Sequence, residues 1–296
     1  MRAFIALIHR EYLEHRGAFV IAPIILTALV FGPAIIAFTF GRLDAKFSGF
    51  IFSAAPTRVY EMGFLAFGLA WGLYLLGTLF FYCADGFSAD RRNNAMLFWK
   101  SMPVSDFKML LSKLAAALTI FPGLIYAACL ICGLLFFALA LGTSAFSGSN
   151  VPTLLATVLP VYGNIALTVI VTFAVGLLWY LPFIALVASL ATVVGRWAVP
   201  LSILLPAILS ALEWIIFGGM HPLMTHVWTY LSYRSDLHLT QGYAEGWMAN
   251  EGSFSGVAFA TDLIGRTDWL QVVIGAVFAL VLIYLASEYR RRVNIN

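Results

Sequence analysis

An 82-residue stretch of this chain, from residue 114 to residue 195, contains no Asp, Glu, Lys or Arg. A water-soluble domain needs charged side chains on its surface, so a stretch of this length is expected to lie mostly in lipid. The rest of the sequence agrees, because 62% of the 296 residues are hydrophobic and only 10% are charged. This composition is typical of a polytopic membrane protein.

The apolar stretches are long enough for six membrane crossings. A hydrocarbon core about 30 Å thick requires roughly 20 apolar residues in helical conformation. The predicted fold class is therefore an all-α membrane protein with six transmembrane helices in a single transmembrane domain covering residues 1–296. The predicted spans are 19–40, 62–83, 114–141, 164–194, 197–217 and 269–287.

The distribution of Lys and Arg predicts the orientation of these spans. Cytoplasmic segments of membrane proteins are enriched in both residues. If the N-terminus is cytoplasmic, 12 of the 17 Lys and Arg lie inside and 5 lie outside. An even number of spans returns the C-terminus to the same side, so both termini are predicted to be cytoplasmic. Residues 84–113 then form a cytoplasmic loop, whereas 143–163 and the long segment 218–268 are extracytoplasmic.

Residues 1–16 are predicted to form an amphipathic interfacial helix before the first span. Phe4, Ile5, Ile8 and Tyr12 recur at helical spacing, while charged residues occupy the other faces. Such a helix is expected to lie at the cytoplasmic membrane surface.

The loop 84–113 combines a short apolar segment with flanking charges. Pro103 favours extended geometry in the preceding residue, so a short helix should end there, and Ser105 offers an N-cap for the next helix. Bulky apolar residues on a short helix suit insertion into a groove on a cytosolic partner. The residues alone are equally consistent with a basic loop that lies against the lipid surface.

Three features of the sequence together resemble the permease subunits of ABC-2 type transporters, in which membrane and ATPase domains are separate polypeptides. Residues 10–17, Arg-Glu-Tyr-Leu-Glu-His-Arg-Gly, followed by Pro23, are similar to the stretch that precedes the first span in that family. Residues 90–105, DRRNNAMLFWKSMPVS, resemble the family's first cytoplasmic loop, although Met102 stands where leucine is usual. The plan of six spans with both ends inside covers the whole chain.

The resemblance implies a subunit of a bacterial ABC exporter in the inner (cytoplasmic) membrane, moving a hydrophobic or amphipathic substrate. Its partners would be two copies of a cytosolic ABC ATPase, a second copy of this permease or a paralogue, and membrane lipid, with no nucleic acid. The segment 94–102 would match the family's coupling helix. The residues expected to couple to the ATPase are Asp90, Arg91, Arg92, Leu97, Phe98, Trp99, Lys100, Met102 and Pro103, and the contacts expected from the N-terminal helix are Arg10, Glu11, Glu14 and Arg16.

This chain is expected to bind no cofactor and to have no enzymatic activity of its own. It contains no Gly-x-x-x-x-Gly-Lys-[Ser/Thr] phosphate-binding loop, and the dipeptide Gly-Lys is absent. ATP and Mg²⁺ would therefore be bound by the partner ATPase.

Glu213 is a candidate for substrate binding or gating, because a carboxylate near the end of a span is costly and often functional. Alternatively, it reaches the lipid headgroups or pairs with Arg234 or Arg266. A nearby group of soft ligands suits Cu(I), but Pro222 interrupts any helix there, so no metal site is predicted. The members of that group are Met220, His221, Met224 and His226.

Two other classes of function remain open. An intramembrane enzyme could use Glu213, His221, His226 or His238, although the sequence lacks a His-Glu-x-x-His motif and any other compact catalytic signature. A secondary transporter would require buried ionisable residues, and the third, fourth and sixth spans offer almost none.

Overall fold

The fold is described from a computed structural model, which covers residues 2–40, 56–92, 105–146, 151–217, 225–236, 242–249 and 253–293. Within these ranges all regular secondary structure is helical. Six segments are long and apolar enough to cross a membrane, and each of the six predicted spans overlaps one of them. This confirms the all-α class, and by length and composition the chain is a multi-pass membrane protein. The six segments are Phe4–Thr39, Thr57–Ser88, Asp106–Gly142, Val158–Val194, Ala198–Phe217 and Trp269–Arg292.

The described chain contains eleven α-helices, numbered here in order. The first five are α1 (Arg2–Arg16), α2 (Ala22–Thr39), α3 (Pro56–Arg92), α4 (Asp106–Leu118) and α5 (Ile120–Phe146). The remaining six are α6 (Val151–Val194), α7 (Ala198–Phe217), α8 (His226–Ser235), α9 (Tyr243–Ala249), α10 (Gly256–Arg266) and α11 (Trp269–Val293).

A π-helical turn, Gly17–Ile21, joins α1 to α2. Pro23 in the first turn of α2 has no N–H, so it cannot donate an α-helical hydrogen bond to the carbonyl of Phe19. The backbone N–H of Ala22 instead donates to the carbonyl of Gly17, five residues earlier. The predicted boundary near residue 16 therefore coincides with a change in helical geometry rather than with a loop.

The third span is interrupted between α4 and α5. Pro122 should disturb the carbonyl of Leu118, and α4 ends at that residue. Thr119 leaves helical geometry, with φ −123° and ψ −68°. At the other end of α4, the Oγ of Ser105 accepts a hydrogen bond from the backbone N–H of Lys108 at 3.4 Å. The N-cap predicted at Ser105 is confirmed.

Helix α6 occupies the centre of the bundle and packs against α3, α5, α10 and α11. Its 44 residues correspond to about 66 Å at a rise of 1.5 Å per residue. The sequence predicted a connection over 143–163, but α5 continues to Phe146 and α6 begins at Val151. Pro152 is compatible with this early start, because proline in the first turn of a helix lacks only an N–H that would have no partner.

The spans alternate between two ends of the bundle, named here the α1 end and the α8 end. α3 ends and α4 begins at the α1 end, and α6 turns into α7 there through a 3₁₀ turn, Gly195–Trp197. Gly195 adopts φ +62°, a left-handed conformation that suits glycine at the end of a helix. At the α8 end, the segment predicted to form the long loop 218–268 contains the short helices α8, α9 and α10.

Candidate functional site

The residues predicted to couple to a partner fall in and around segment 93–104, which joins α3 to α4. Asp90, Arg91 and Arg92 form the last turn of α3. Six predicted coupling residues further along the sequence lie outside the described residues: Leu97, Phe98, Trp99, Lys100, Met102 and Pro103. Three members of the Met/His group also lie outside them: Met220, His221 and Met224.

A buried ion pair lies beside the ends of this segment. Lys113 Nζ is 3.0 Å from Glu11 Oε1, and the two side chains are 2% and 3% exposed. The same Nζ donates to the carbonyl of Gly86 at 3.0 Å. The hydroxyl of Tyr82 donates to the other carboxylate oxygen, Glu11 Oε2, at 2.9 Å. Both charges are thus hydrogen-bonded, which a buried ion pair requires to offset its loss of hydration.

The ion pair connects three helices. Glu11 lies on α1, Tyr82 and Gly86 lie on α3, and Lys113 lies on α4. The imidazole of His15 packs edge-on against the Tyr82 ring, with 4.7 Å between ring centroids. One turn further along the first span, Phe19 stacks on Phe121 at 3.9 Å. The helix that precedes the first span is therefore fixed to both helices that flank segment 93–104.

The last helix reaches the same place. Arg290 near the end of α11 is 5% exposed, and its Nε is 3.3 Å from Asp106 Oδ1 in the first turn of α4. Its Nη2 also lies 3.5 Å from the sulfur of Met109. The N-terminal and C-terminal ends of the described chain and both ends of segment 93–104 therefore meet at the α1 end.

The four N-terminal residues predicted to contact an ATPase lie in different environments. Arg10 and Glu14 form an exposed ion pair one turn apart, with 3.2 Å between Nη2 and Oε1, and Arg16 is also exposed. Glu11 instead points into the bundle. Arg10, Glu14 and Arg16 are accessible to a partner, whereas Glu11 can act only by holding α1 in place.

Sequence reasoning singled out Glu11 but missed Lys113 and Tyr82 as its partners. The available signal was the position of Lys113 as the last charged residue before the uncharged stretch 114–195. A lysine at such a boundary either extends to the membrane surface or finds a buried acid. The second outcome is the one observed here.

Glu213 caps α8 at the opposite end of the bundle. Its Oε1 accepts from the backbone N–H of His226 at 2.8 Å and lies 2.6 Å from the Nδ1 of the same residue. Its Oε2 accepts from the backbone N–H of Val227 at 3.0 Å. Glu213 therefore satisfies N–H groups at the start of α8, which otherwise have no acceptor within the helix. It does not pair with Arg266, which binds Asp262 at 2.9 Å.

Arg234 is fully buried between α8, α6 and α11. Its Cζ lies 4.2 Å from the ring centroid of Trp179, and the Trp179 Nε1 donates to the Arg234 carbonyl at 2.8 Å. Within the described part of the chain, its Nε, Nη1 and Nη2 have no hydrogen-bond partner. Gly275 leaves space for this guanidinium, because a Cβ at that position would collide with Nη2.

One group of residues brings possible metal ligands together. Glu11, Glu14 and His15 each offer a ligand atom, and these atoms lie within 4.8 Å of one another. However, both carboxylate oxygens of Glu11 already accept hydrogen bonds, from Lys113 and Tyr82. The group therefore has the character of an ion-pair network rather than of a cation site.

Comparisons with protein-family models, with curated proteins and with solved structures find no match for this chain. At the α1 end, polar contacts join the four helices α1, α3, α4 and α11.

Proposed function

We propose that the chain is the membrane-spanning permease subunit of an ATP-binding cassette transporter. It exports a hydrophobic or amphipathic substrate using ATP hydrolysis by a separate cytosolic subunit. The observation that carries this proposal is the Glu11–Lys113 ion pair, because it ties the N-terminal helix to the helices on both sides of segment 93–104.

The contacts at the α1 end explain how movement of that segment would reach the membrane spans. α3 and α4 run directly from segment 93–104 into the bundle. Lys113 holds α4 to α3 and to α1, and Arg290 holds α11 to the start of α4. Close-packed helices move as units rather than deforming gradually. A force applied to segment 93–104 would therefore act on the first, second, third and sixth spans together.

In this proposal the α1 end faces the cytoplasm of a bacterium, and the protein resides in the inner membrane. The excess of Lys and Arg in segments at this end supports that orientation. Two copies of the ATPase would dock against segment 93–104 and the exposed face of α1, and they would carry the ATP and Mg²⁺. A second copy of this chain or a paralogue would complete the permease.

The charge distribution favours this proposal over a secondary transporter. Described buried charges lie at the ends of the bundle, with Glu11, Lys113 and Arg290 at one end and Glu61 and Arg234 at the other. Between them, α5 and α6 contain no charged residue at all. A proton or ion relay across the membrane would need acidic or basic groups along this path.

The environment of Glu213 argues against an intramembrane enzyme that uses this residue. A general base must point at the proton that it removes. Each oxygen of Glu213 accepts a backbone N–H group of α8, and these bonds orient the carboxylate toward the start of that helix.

The experiment that tests the proposal is co-purification of the tagged chain with a soluble ATPase from the same cells. We expect a nucleotide-hydrolysing subunit in the wild-type eluate and its loss in the Trp99→Ala and Phe98→Asp variants. Trp228→Ala is the matched control, because Trp228 is a partly exposed tryptophan at the α8 end, and it should retain the subunit. The purified chain alone should show no ATP turnover.

A second readout separates docking against a protein from burial in lipid. A cysteine replacing Lys100 should react with a membrane-impermeant thiol reagent in the isolated chain and become protected when the ATPase is added. ATP hydrolysis by the isolated chain, or labelling at position 100 that is unchanged by the ATPase, would contradict the proposal.

A further inference from the structure

An apolar cavity of about 510 Å³ lies between α3 and α6. Its inner wall is formed by side chains that are less than a tenth exposed, including Leu75, Val169 and Phe173. Its outer edge carries Leu69 and Leu73, which are 58% and 63% exposed. Because both helices are of membrane-spanning length and composition, the open side faces the hydrocarbon of the bilayer.

The cavity is elongated along α3. Its lining on that helix extends from residue 62 to residue 76, which is about 21 Å at 1.5 Å per residue. An apolar groove of this length that opens sideways suits an extended hydrocarbon chain lying along the helix, because such a chain buries apolar surface over its whole length.

The lining offers few groups to a polar ligand. The hydroxyls of Thr168 and Tyr180 already donate to backbone carbonyls, to Asn164 at 2.9 Å and to Ser235 at 2.7 Å. The remaining polar groups are the hydroxyl of Thr172 and the Nε1 of Trp247, which is buried without a hydrogen-bond partner among the described residues. A polar group entering the cavity would lose its hydration without replacement hydrogen bonds from the hydroxyls of Thr168 and Tyr180.

One end of the cavity is covered by α9, α10 and the residues just before α10. Trp247, Phe254 and Phe259 form this cover, and each is less than a tenth exposed. Arg58 at the start of α3 fixes it by donating to the carbonyls of Trp247 and Met248 at 3.0 and 3.2 Å.

Two further contacts complete the attachment of the cover. Glu61 Oε1 accepts from the backbone N–H of Phe254 at 3.0 Å. Gly256 lies directly against the backbone of Asn164 in α6, where a Cβ would collide. The cavity is therefore closed at the α8 end and open along its side.

From this geometry we propose that the cavity binds one long hydrocarbon chain of a membrane amphiphile, which enters sideways from the bilayer. The binding site is complete within a single copy of the protein and does not depend on an ATPase. Either a phospholipid of the bilayer or a free fatty acid could supply the hydrocarbon chain.

Photo-crosslinking tests the proposal on the full chain in nanodiscs of dioleoyl phosphatidylcholine. One probe is palmitic acid with a diazirine near its terminal methyl group, and the other is phosphatidylcholine with the same label on one chain. We expect saturable labelling of peptides containing residues 62–76 and 168–180, with unlabelled palmitate competing for the palmitate signal. Labelling by both probes shows that the site recognises the hydrocarbon chain whatever headgroup it carries. Labelling by phosphatidylcholine alone identifies bilayer lipid as the source of the hydrocarbon chain.

A matched pair of variants separates the cavity from general lipid contact. Ala66 lines the cavity, whereas Ala70, one turn further along α3, does not. Ala66→Trp should fill the space and reduce saturable labelling by about fivefold or more, whereas Ala70→Trp should leave it within about twofold. Size-exclusion profiles of both variants show whether they remain folded.

The proposal is overturned if the wild-type label does not saturate, or if it falls equally on exposed residues of α11 such as Val273 and Val277. It is also overturned if a folded Ala66→Trp variant labels as strongly as Ala70→Trp.

Discussion

Glu11 and Lys113, 102 positions apart in the sequence, form an ion pair of 3.0 Å in which neither side chain is more than 3% exposed. An isolated charge at either position would have to remain buried without its counter-charge. The pair therefore makes the position of α1 dependent on α4, and through the bond from Lys113 to Gly86 also on α3.

Replacing one member of the pair is expected to be strongly destabilising. Lys113→Ala should lower the free energy of unfolding by about 3–5 kcal/mol, because it leaves the Glu11 carboxylate buried and uncompensated. The double variant Glu11→Leu/Lys113→Met should be closer to wild type than Lys113→Ala, since neither charge remains. Unfolding in detergent with increasing dodecyl sulfate measures these differences.

The exposed pair on the same helix supplies the control. Arg10 and Glu14 are also ion-paired, but their side chains are 36% and 47% exposed. Glu14→Ala should therefore cost no more than about 0.5 kcal/mol. Equal losses for Glu14→Ala and Lys113→Ala would show that the buried pair contributes no more than a surface pair does.

Tyr82 is expected to contribute through its hydroxyl group rather than through its ring alone. Tyr82→Phe removes the donor to Glu11 Oε2 and should cost about 1.5–3 kcal/mol, the range for hydrogen bonds to charged groups. Tyr74→Phe is the control, because its hydroxyl donates to the neutral carbonyl of Ala18 and should be worth only about 0.5–1.5 kcal/mol. The same unfolding titration compares the two, and an equal or larger loss for Tyr74→Phe would contradict the assignment.

The sequence predicted the spans and several local details because each depends on neighbouring residues. Hydropathy over about 20 positions identifies a span. The Ser105 cap follows in the same way from backbone groups within four residues.

Features that depend on three-dimensional packing could not be read from the sequence. The partners of Glu11 come from two other helices, and nothing in their spacing identifies them. Glu213 was predicted as a candidate for substrate binding or gating, with pairing to Arg234 or Arg266 as one alternative. Its carboxylate instead accepts backbone N–H groups of α8, because α7 and α8 pack together at the α8 end. The connection predicted over 143–163 is helical at 143–146 and 151–163, and Val158 and Val161 in its second part are buried in the core of the bundle.

Loss of the Glu213 carboxylate should loosen α8 without disturbing the rest of the bundle. Glu213→Ala removes the acceptor for two N–H groups at the start of the helix, which should cost about 1 kcal/mol. Hydrogen exchange of amides 226–228 should then accelerate about fivefold while exchange in α6 stays unchanged. The control is Ile216→Ala, since Ile216 is 70% exposed and lies in α7, the helix that carries Glu213. This variant should leave the exchange of amides 226–228 unchanged. If hydrogen exchange is unaltered in Glu213→Ala, the Glu213 carboxylate does not stabilise the start of α8. Substrate binding or gating would then be the better explanation for this residue.

Because Gly275 lies close to Arg234, we expect the stability cost of a substitution at Gly275 to depend on the residue at position 234. Gly275→Ala places a Cβ against the Arg234 guanidinium, and overpacking of this kind costs about 1–3 kcal/mol. In an Arg234→Met background the same change should cost less, because the collision with Nη2 is removed and the close contact with the Pro182 ring, 3.3 Å from the Cβ position, is what remains. Gly163→Ala in α6 is the control, since no described atom lies within 4 Å of its Cβ position, and it should be neutral or stabilising by about 0.5–1 kcal/mol. Unfolding titrations of the wild type, the two single variants and the double variant close the cycle. Equal costs of Gly275→Ala in both backgrounds would show that Arg234 does not occupy this space.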